Sequence, residues 1–313
     1  MKFSHLKGLI AAPFTPMDKN RELNLSLIPE YYQFLKHNKV TGAFISGSTG
    51  EGVSMSLSEK KAVAKAWADA TNHDEDFKVM TLLGGTSLTD CKELAMYAQQ
   101  VGLYAVSFTA PFYFKPANAT TLADCCKQIA DVVPDMPFYY YHIPVLTGVD
   151  FSMIDLLKNV DGKIPNFAGI KYTHEDFMDF LSCLHFQNGK YDMLWGRDEN
   201  MLPALSIGAK GAVGSTFNYA APLYYDLIDA FNQNDFKKAQ ALQQRSIDMI
   251  TLLGKYGGIA TGKAYMTLVG LDCGGFRLPV KNMNDEQFQL FEKDTEQINF
   301  SSFCSRKLPV VKA

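Results

Sequence analysis

Eight short apolar runs recur along this chain, each followed by a stretch of helical periodicity. That alternation constrains the fold more than any other feature. The runs fall at residues 8–14, 42–46, 78–83, 105–109, 137–143, 167–173, 191–195 and 211–215. Helical patterns follow them at 27–37, 58–71, 89–101, 121–132, 152–160, 175–186, 199–207 and 221–231. Continuous apolar runs suit strands buried on both faces, which is the habit of parallel strands joined by helical crossovers. Eight such units predict an α/β protein of the (β/α)8 TIM barrel type. An open doubly wound sheet would usually carry Gly-x-Gly-x-x-Gly after its first strand, and none follows Phe14. Further helices are predicted at 236–253, 261–268 and 284–297. Residues 1–234 therefore read as a barrel carrying the site, and 235–313 as a C-terminal helical extension packed on it.

Composition removes several function classes. A hydrophobic content of 47% over 313 residues supplies a large core, and barrels of this length are commonly one domain. A formal net charge of −3 gives no electrostatic reason to expect nucleic acid or an anionic membrane as partner. No apolar run approaches the ~18 residues of a membrane span, and the first eight residues lack a signal peptide's apolar core. A cytoplasmic protein is the expectation. The six cysteines, Cys91, Cys125, Cys126, Cys183, Cys273 and Cys304, form no Cys-x-x-Cys pair and read as ordinary buried thiols. The six histidines show no metal-ligand spacing, so no metal is expected. Ser58 is a good N-cap for the second helix. Gly257-Gly-Ile-Ala-Thr-Gly-Lys263 fits most of a phosphate-binding loop, but Ala264 replaces the hydroxyl residue and no strand precedes it. It reads as a turn before a helix.

In a barrel of this kind the active site gathers at the C-terminal ends of the strands. The sixth run, Phe167-Ala-Gly-Ile-Lys-Tyr-Thr173, carries a lysine near its C-terminal end. Strict alternation puts Phe167, Gly169, Lys171 and Thr173 on one face. A buried ammonium is costly, so burial lowers a lysine's pKa and leaves the free amine that imine chemistry uses. A single lysine so placed more often just ends a strand and reaches water. The other strand ends are polar too: Gly47-Ser-Thr-Gly-Glu51, Tyr113, Tyr141-His-Ile-Pro144, Gly196-Arg-Asp-Glu199 and Gly214-Ser215. The 47–51 loop is either a carboxylate cradle of amides and hydroxyls or an ordinary turn. Tyr141 is either a proton carrier near Lys171 or a core tyrosine, and Tyr113 carries the same ambiguity. Asp198 and Glu199 either accept from sugar hydroxyls or start a helix.

Taken together, Gly47-Ser-Thr-Gly-Glu51, Tyr141-His-Ile-Pro144, Gly169-Ile-Lys171 and Gly214-Ser215 resemble the pyruvate-dependent class I aldolases, the dihydrodipicolinate synthase/N-acetylneuraminate lyase family. The resemblance runs in order over about residues 8–280. It implies an imine between Lys171 and a 2-oxo acid, a proton relay at Tyr141, and carboxylate binding by Ser48 and Thr49. It also implies a sugar-facing set of Thr173, Gly196, Asp198, Glu199 and Ser215, and no external cofactor. Gly-Ser-Thr-Gly-Glu and Gly196-x-Asp198-Glu199 are similar to the branch that cleaves N-acetylneuraminate (sialic acid) to N-acetylmannosamine and pyruvate. The synthase branch typically has Gly-Thr-Thr-Gly-Glu and an arginine where this chain has Leu146. His142 departs from a frequent asparagine, but alternation points it away from Tyr141. By resemblance, Tyr113 reaches a neighbouring subunit and the assembly is a homotetramer. A sister aldolase or dehydratase, such as a 2-keto-3-deoxy sugar acid aldolase, and a non-catalytic ligand-binding relic are the competing readings; an intact Lys171 with Tyr141 speaks against the relic.

Overall fold

The computed structural model of the chain describes residues 3–72 and 74–309. Its eight strands close into one parallel barrel in sequence order. They are β1 (Gly8–Ala11), β2 (Gly42–Ile45), β3 (Lys78–Leu82), β4 (Ala105–Thr109), β5 (Phe138–His142), β6 (Phe167–Tyr172), β7 (Asp192–Trp195) and β8 (Gly211–Gly214). β8 returns to β1 in register Gly8↔Gly211, so no edge strand is left open. Between them run α1 (Ile28–His37), α2 (Leu57–Thr71), α3 (Leu88–Gln100), α4 (Ala119–Ala130), α5 (Pro144–Thr147), α6 (Met153–Val160), α7 (Phe177–His185) and α8 (Met201–Ser206). α9 (Phe217–Asn232) follows β8, and α10 (Phe236–Lys255), α11 (Ala260–Leu268) and α12 (Asp285–Gln297) complete the chain. No helix among the described residues is long and apolar enough to cross a membrane.

Strand alternation sorts the core into two sets. One face of each strand packs outward under the helices, in a large cluster that includes Leu9, Ile45, Phe138, Tyr172 and Trp195. The other fills the barrel with Ile10, Phe44, Met80, Leu82, Tyr139, Tyr141, Leu194 and Val213. A barrel interior filled this way is packed rather than hollow.

Two local expectations change. The register slips between Phe138↔Phe167 and Tyr139↔Gly169, a bulge that places two residues of β6 against one step of β5. Phe167 consequently packs in the outer cluster against Phe138 and Tyr191, while Ala168 sits in the inner one. Phe167 therefore does not share the face of Lys171. The cap of α2 is Ser56 rather than Ser58: its hydroxyl accepts from the Glu59 N–H, and the Glu59 carboxylate accepts from the Ser56 N–H.

Glycine is required where β6 meets β7. A Cβ on Gly169 would lie 1.9 Å from the Asp192 carbonyl oxygen. Gly254, inside α10, has open space around the same position. Gly169→Ala is expected to destabilise the protein by about 1–3 kcal/mol through overpacking, whereas Gly254→Ala should stabilise it by about 0.5–1 kcal/mol. Denaturant unfolding of both variants checks this; equal midpoints would contradict the close strand contact.

Candidate active site

Lys171 stands one residue from the C-terminal end of β6, in register with Tyr141 of β5 and Leu194 of β7. Its side chain is 4% exposed. The amine nitrogen lies 4.0 Å from the centroid of the Phe44 ring and 4.0 Å from that of Tyr141. Those two rings meet edge to face at 5.5 Å, so the amine packs against aromatic carbon. Burial pushes the Lys171 pKa down to about 7, with the charge of Asp198 pulling the other way. Near neutrality a large share of this amine is therefore unprotonated and nucleophilic.

Tyr141 is the second buried group. Burial raises its phenol to about 12, while the Ser48 and Thr173 hydroxyls beside it pull the other way. It stays protonated across the physiological range. Thr173 Oγ1 is itself buried without a well-formed hydrogen bond. A Cβ on Gly196 would come within 2.0 Å of that oxygen, so only glycine lets β7 pass so close to Thr173.

The loop after β2 is wound tightly. Ser46 and Glu51 both adopt left-handed backbone angles, at φ 55° and 59°. Gly52 N–H donates to the Gly47 carbonyl, and Glu51 N–H to that of Ser48. Thr15 Oγ1 donates to the Gly50 carbonyl at 2.6 Å. Among the described residues, the Ser48 and Thr49 amides donate to no protein acceptor. Two N–H groups without a protein acceptor, beside two hydroxyls, are the donors that carboxylate binding uses.

Asp198 and Glu199 are not a pair of free acceptors. Asp198 opens a short 3-10 turn after β7 and points inward, where its Oδ2 accepts from the Thr216 N–H at 2.9 Å and Oγ1 at 2.6 Å. Thr216 Oγ1 in turn lies 2.7 Å from the Tyr224 hydroxyl, which lies 2.7 Å from Ser246 Oγ of α10. Burial raises the Asp198 pKa to about 6, against the opposing Thr216 hydrogen bonds and the Lys171 charge. Glu199 is partly exposed and paired with Arg197 at 2.7 Å, whose same nitrogen holds Glu175 at 2.9 Å. Arg197 lies inside the strand-seven motif, but its pairing to both acids has no short-range sequence signal. Gln243 of α10 also reaches this turn, donating to the Asp198 carbonyl and accepting from Leu202 N–H.

Lys171, Tyr141, Ser48, Thr173 and Asp198 thus converge at the mouth of the barrel, with Thr49 buried in the adjoining loop and Gly196 against Thr173. Ser215 is partly buried at the end of β8. Tyr113 is apart from them, 78% exposed, with its ring 5.1 Å from that of Phe114. His142 faces the other way, against Tyr172 and His174, and burial lowers it to about 3, so it is neutral. No group of three or more metal-ligating side chains occurs among the described residues.

A closed parallel barrel that keeps one desolvated amine inside its C-terminal mouth, beside a protonated phenol, is the scaffold of a class I aldolase. Comparison with known proteins narrows this: the chain belongs to the dihydrodipicolinate synthetase family, whose model matches residues 5–298. It is 39% identical to the N-acetylneuraminate lyase of Homo sapiens over 308 residues, covering 96% of this chain and 95% of that one. The lyase of Rattus norvegicus is 38% identical over 306 residues, with the same coverage. Among solved structures, the N-acetylneuraminate lyase of Proteus mirabilis superposes with a TM-score of 0.92 at 37% identity, covering 95% of this chain and 100% of that one.

Burial of Lys171 has a measurable cost. Its pKa falls from 10.5 in the unfolded chain to about 7 in the fold. Above both values the amine is neutral in either state and costs no ionisation energy. As pH falls from about 10.5 towards 7, only the unfolded state gains the proton, so stability is lost; below 7 both states hold it and the loss is constant. Lys171→Met should therefore melt higher than wild type. The gap should widen as pH falls from 10 to 7 and then level off. A gap independent of pH in thermal melts would contradict the depressed pKa.

Proposed function

We propose that this chain catalyses reversible aldol cleavage of N-acetylneuraminate to N-acetylmannosamine and pyruvate, through an imine on Lys171. The observation that carries the chemistry is the desolvated Lys171 amine in contact with Tyr141. The likeness to the mammalian and bacterial lyases supports the substrate.

The free amine attacks the C2 ketone of the open-chain sugar, and loss of water gives a protonated imine. That cation draws the C3–C4 bonding electrons into an enamine as the bond breaks. The C4 hydroxyl must give up its proton in the same step. A phenol titrating near 12 is not a standing base; Tyr141 instead relays the proton, accepting at Oη as its own moves to a neighbouring hydroxyl. The enamine is then protonated at C3, and water hydrolyses the imine to free pyruvate and the amine. The Ser48 and Thr49 amides and hydroxyls hold the substrate carboxylate. Thr173, Gly196, Asp198, Glu199 and Ser215 face the hydroxylated tail, with Asp198 anchored by Thr216 and Glu199 by Arg197. The amine supplies the electron sink, so the scheme calls for no external cofactor. Homotetrameric assembly, with Tyr113 at a subunit contact, and a cytoplasmic location belong to the same proposal.

The position of Leu146, 61% exposed, bears on the choice between sister activities. Leucine offers no donor to a second carboxylate, and Arg197 is already engaged by Glu175 and Glu199. Borohydride reduction with pyruvate should add a reduced pyruvyl mass to the peptide holding Lys171. N-acetylmannosamine should then condense with pyruvate far faster than aspartate semialdehyde does, by kcat/KM. A preference for aspartate semialdehyde would favour the synthase activity, and no adduct would favour a binding relic. Tyr141→Phe should lower kcat by about 10²–10⁴ while imine trapping persists; a change of less than a few-fold would make Tyr141 a packing residue.

A further inference from the structure

The Gly257–Lys263 segment follows a helix and not a strand, and its lysine is among the most deeply buried charged residues described. Lys263 lies inside α11, in the C-terminal extension, and is paired with Glu51 of the loop after β2, 212 positions earlier in the chain. The side chains are 2% and 3% exposed. Lys263 Nζ donates to Glu51 Oε1 at 2.9 Å and to the Gly275 carbonyl at 3.0 Å. The other carboxylate oxygen of Glu51 accepts from the Arg277 N–H at 2.8 Å. Both oxygens of Glu51 are thus held by the C-terminal extension.

A buried ion pair is a poor device for stability alone, because desolvation offsets most of the attraction. Its surroundings indicate what else it does. Glu51 sits at φ 59°, a left-handed conformation that a residue other than glycine keeps when its surroundings over-determine it. The next residue, Gly52, packs so tightly that a Cβ would lie 1.8 Å from the Ser46 carbonyl oxygen. α11 approaches equally closely, since a Cβ on Gly262 would meet the Phe14 ring at 2.3 Å. Glu51 is separated from Ser48 and Thr49 only by Gly50, and its own N–H closes the turn onto the Ser48 carbonyl.

We infer that Lys263 is a positioning residue: through Glu51 it fixes, from the C-terminal extension, the turn that presents the Ser48 and Thr49 donors to the substrate carboxylate. The inference rests on the imine reading and on that role for the loop. Lys263 touches no reacting atom. Its effect is on recognition of the carboxylate and not on the nucleophile.

The test compares two ketones that form the same imine but differ in charge. Pyruvate and methyl pyruvate are titrated against borohydride trapping, and the half-saturating concentration of each is read by adduct mass for wild type, Lys263→Met and Glu51→Gln. Wild type should prefer pyruvate. In both variants that preference should shrink by about tenfold or more, because the carboxylate has lost its cradle while methyl pyruvate is little changed. General destabilisation would weaken both ketones together, so the ratio separates it from positioning. Should Lys263→Met not fold, Glu51→Gln, which keeps the side-chain shape, decides alone. Variants that keep the wild-type ratio overturn the inference by itself. Wild type that traps neither ketone overturns the imine reading and the inference with it.

Discussion

Desolvation of one amine is the constraint on which the rest of the site depends. An ammonium at the position of Lys171 would face two aromatic rings at 4.0 Å and, among the described residues, no carboxylate in direct contact. The rings attract a cation weakly compared with the hydration it has lost. The neutral amine is accordingly favoured far more than in water, and neutrality is what nucleophilic attack requires. Asp198 limits this effect. It is buried, raised to about 6, and close enough that it and Lys171 stabilise each other's charged forms. Its charge thus opposes the burial that lowers the amine's pKa.

The barrel supplies the geometry for this balance. Parallel strands in sequence order bring residues from β2, β5, β6, β7 and β8 to one rim, and glycines let the strands close in. Gly169 admits the carbonyl of β7, Gly196 passes Thr173, and a Cβ on Gly214 would collide with the Asp198 carboxylate at 2.0 Å. The helices beyond the barrel complete the site from behind. α10 braces the Asp198 turn through Ser246 and Gln243, and α11 braces the opposite loop through Lys263. The C-terminal extension thus contacts both the Asp198 turn and the loop after β2.

Much of this was legible in the chain because it depends on local pattern. Apolar runs separated by helical periods specify the barrel, and the strand-end rule points to Lys171, Tyr141 and the 47–51 loop without any structure. What stayed hidden depends on partners distant in sequence. The bulge that turns Phe167 outward is set by pairing with Phe138, not by β6 itself. Ser56 and Ser58 are both competent caps, and only the Glu59 carboxylate reaching back to Ser56 chooses between them. Asp198 and Glu199 look alike in sequence, yet Thr216 draws one inward and Arg197 engages the other. The Glu51–Lys263 pair joins two segments 212 positions apart, and neither local sequence signals the other.

The central claim is that the fold itself lowers the basicity of Lys171. Titration of the lysine side-chain resonances by NMR in isotopically labelled protein, with Lys171→Met to assign the signal, measures it directly. The account predicts a midpoint near 7 for Lys171, moving to lower pH in Asp198→Asn, where the charge that supports the ammonium is gone. A midpoint near the ordinary 10.5, unmoved by that substitution, would contradict it.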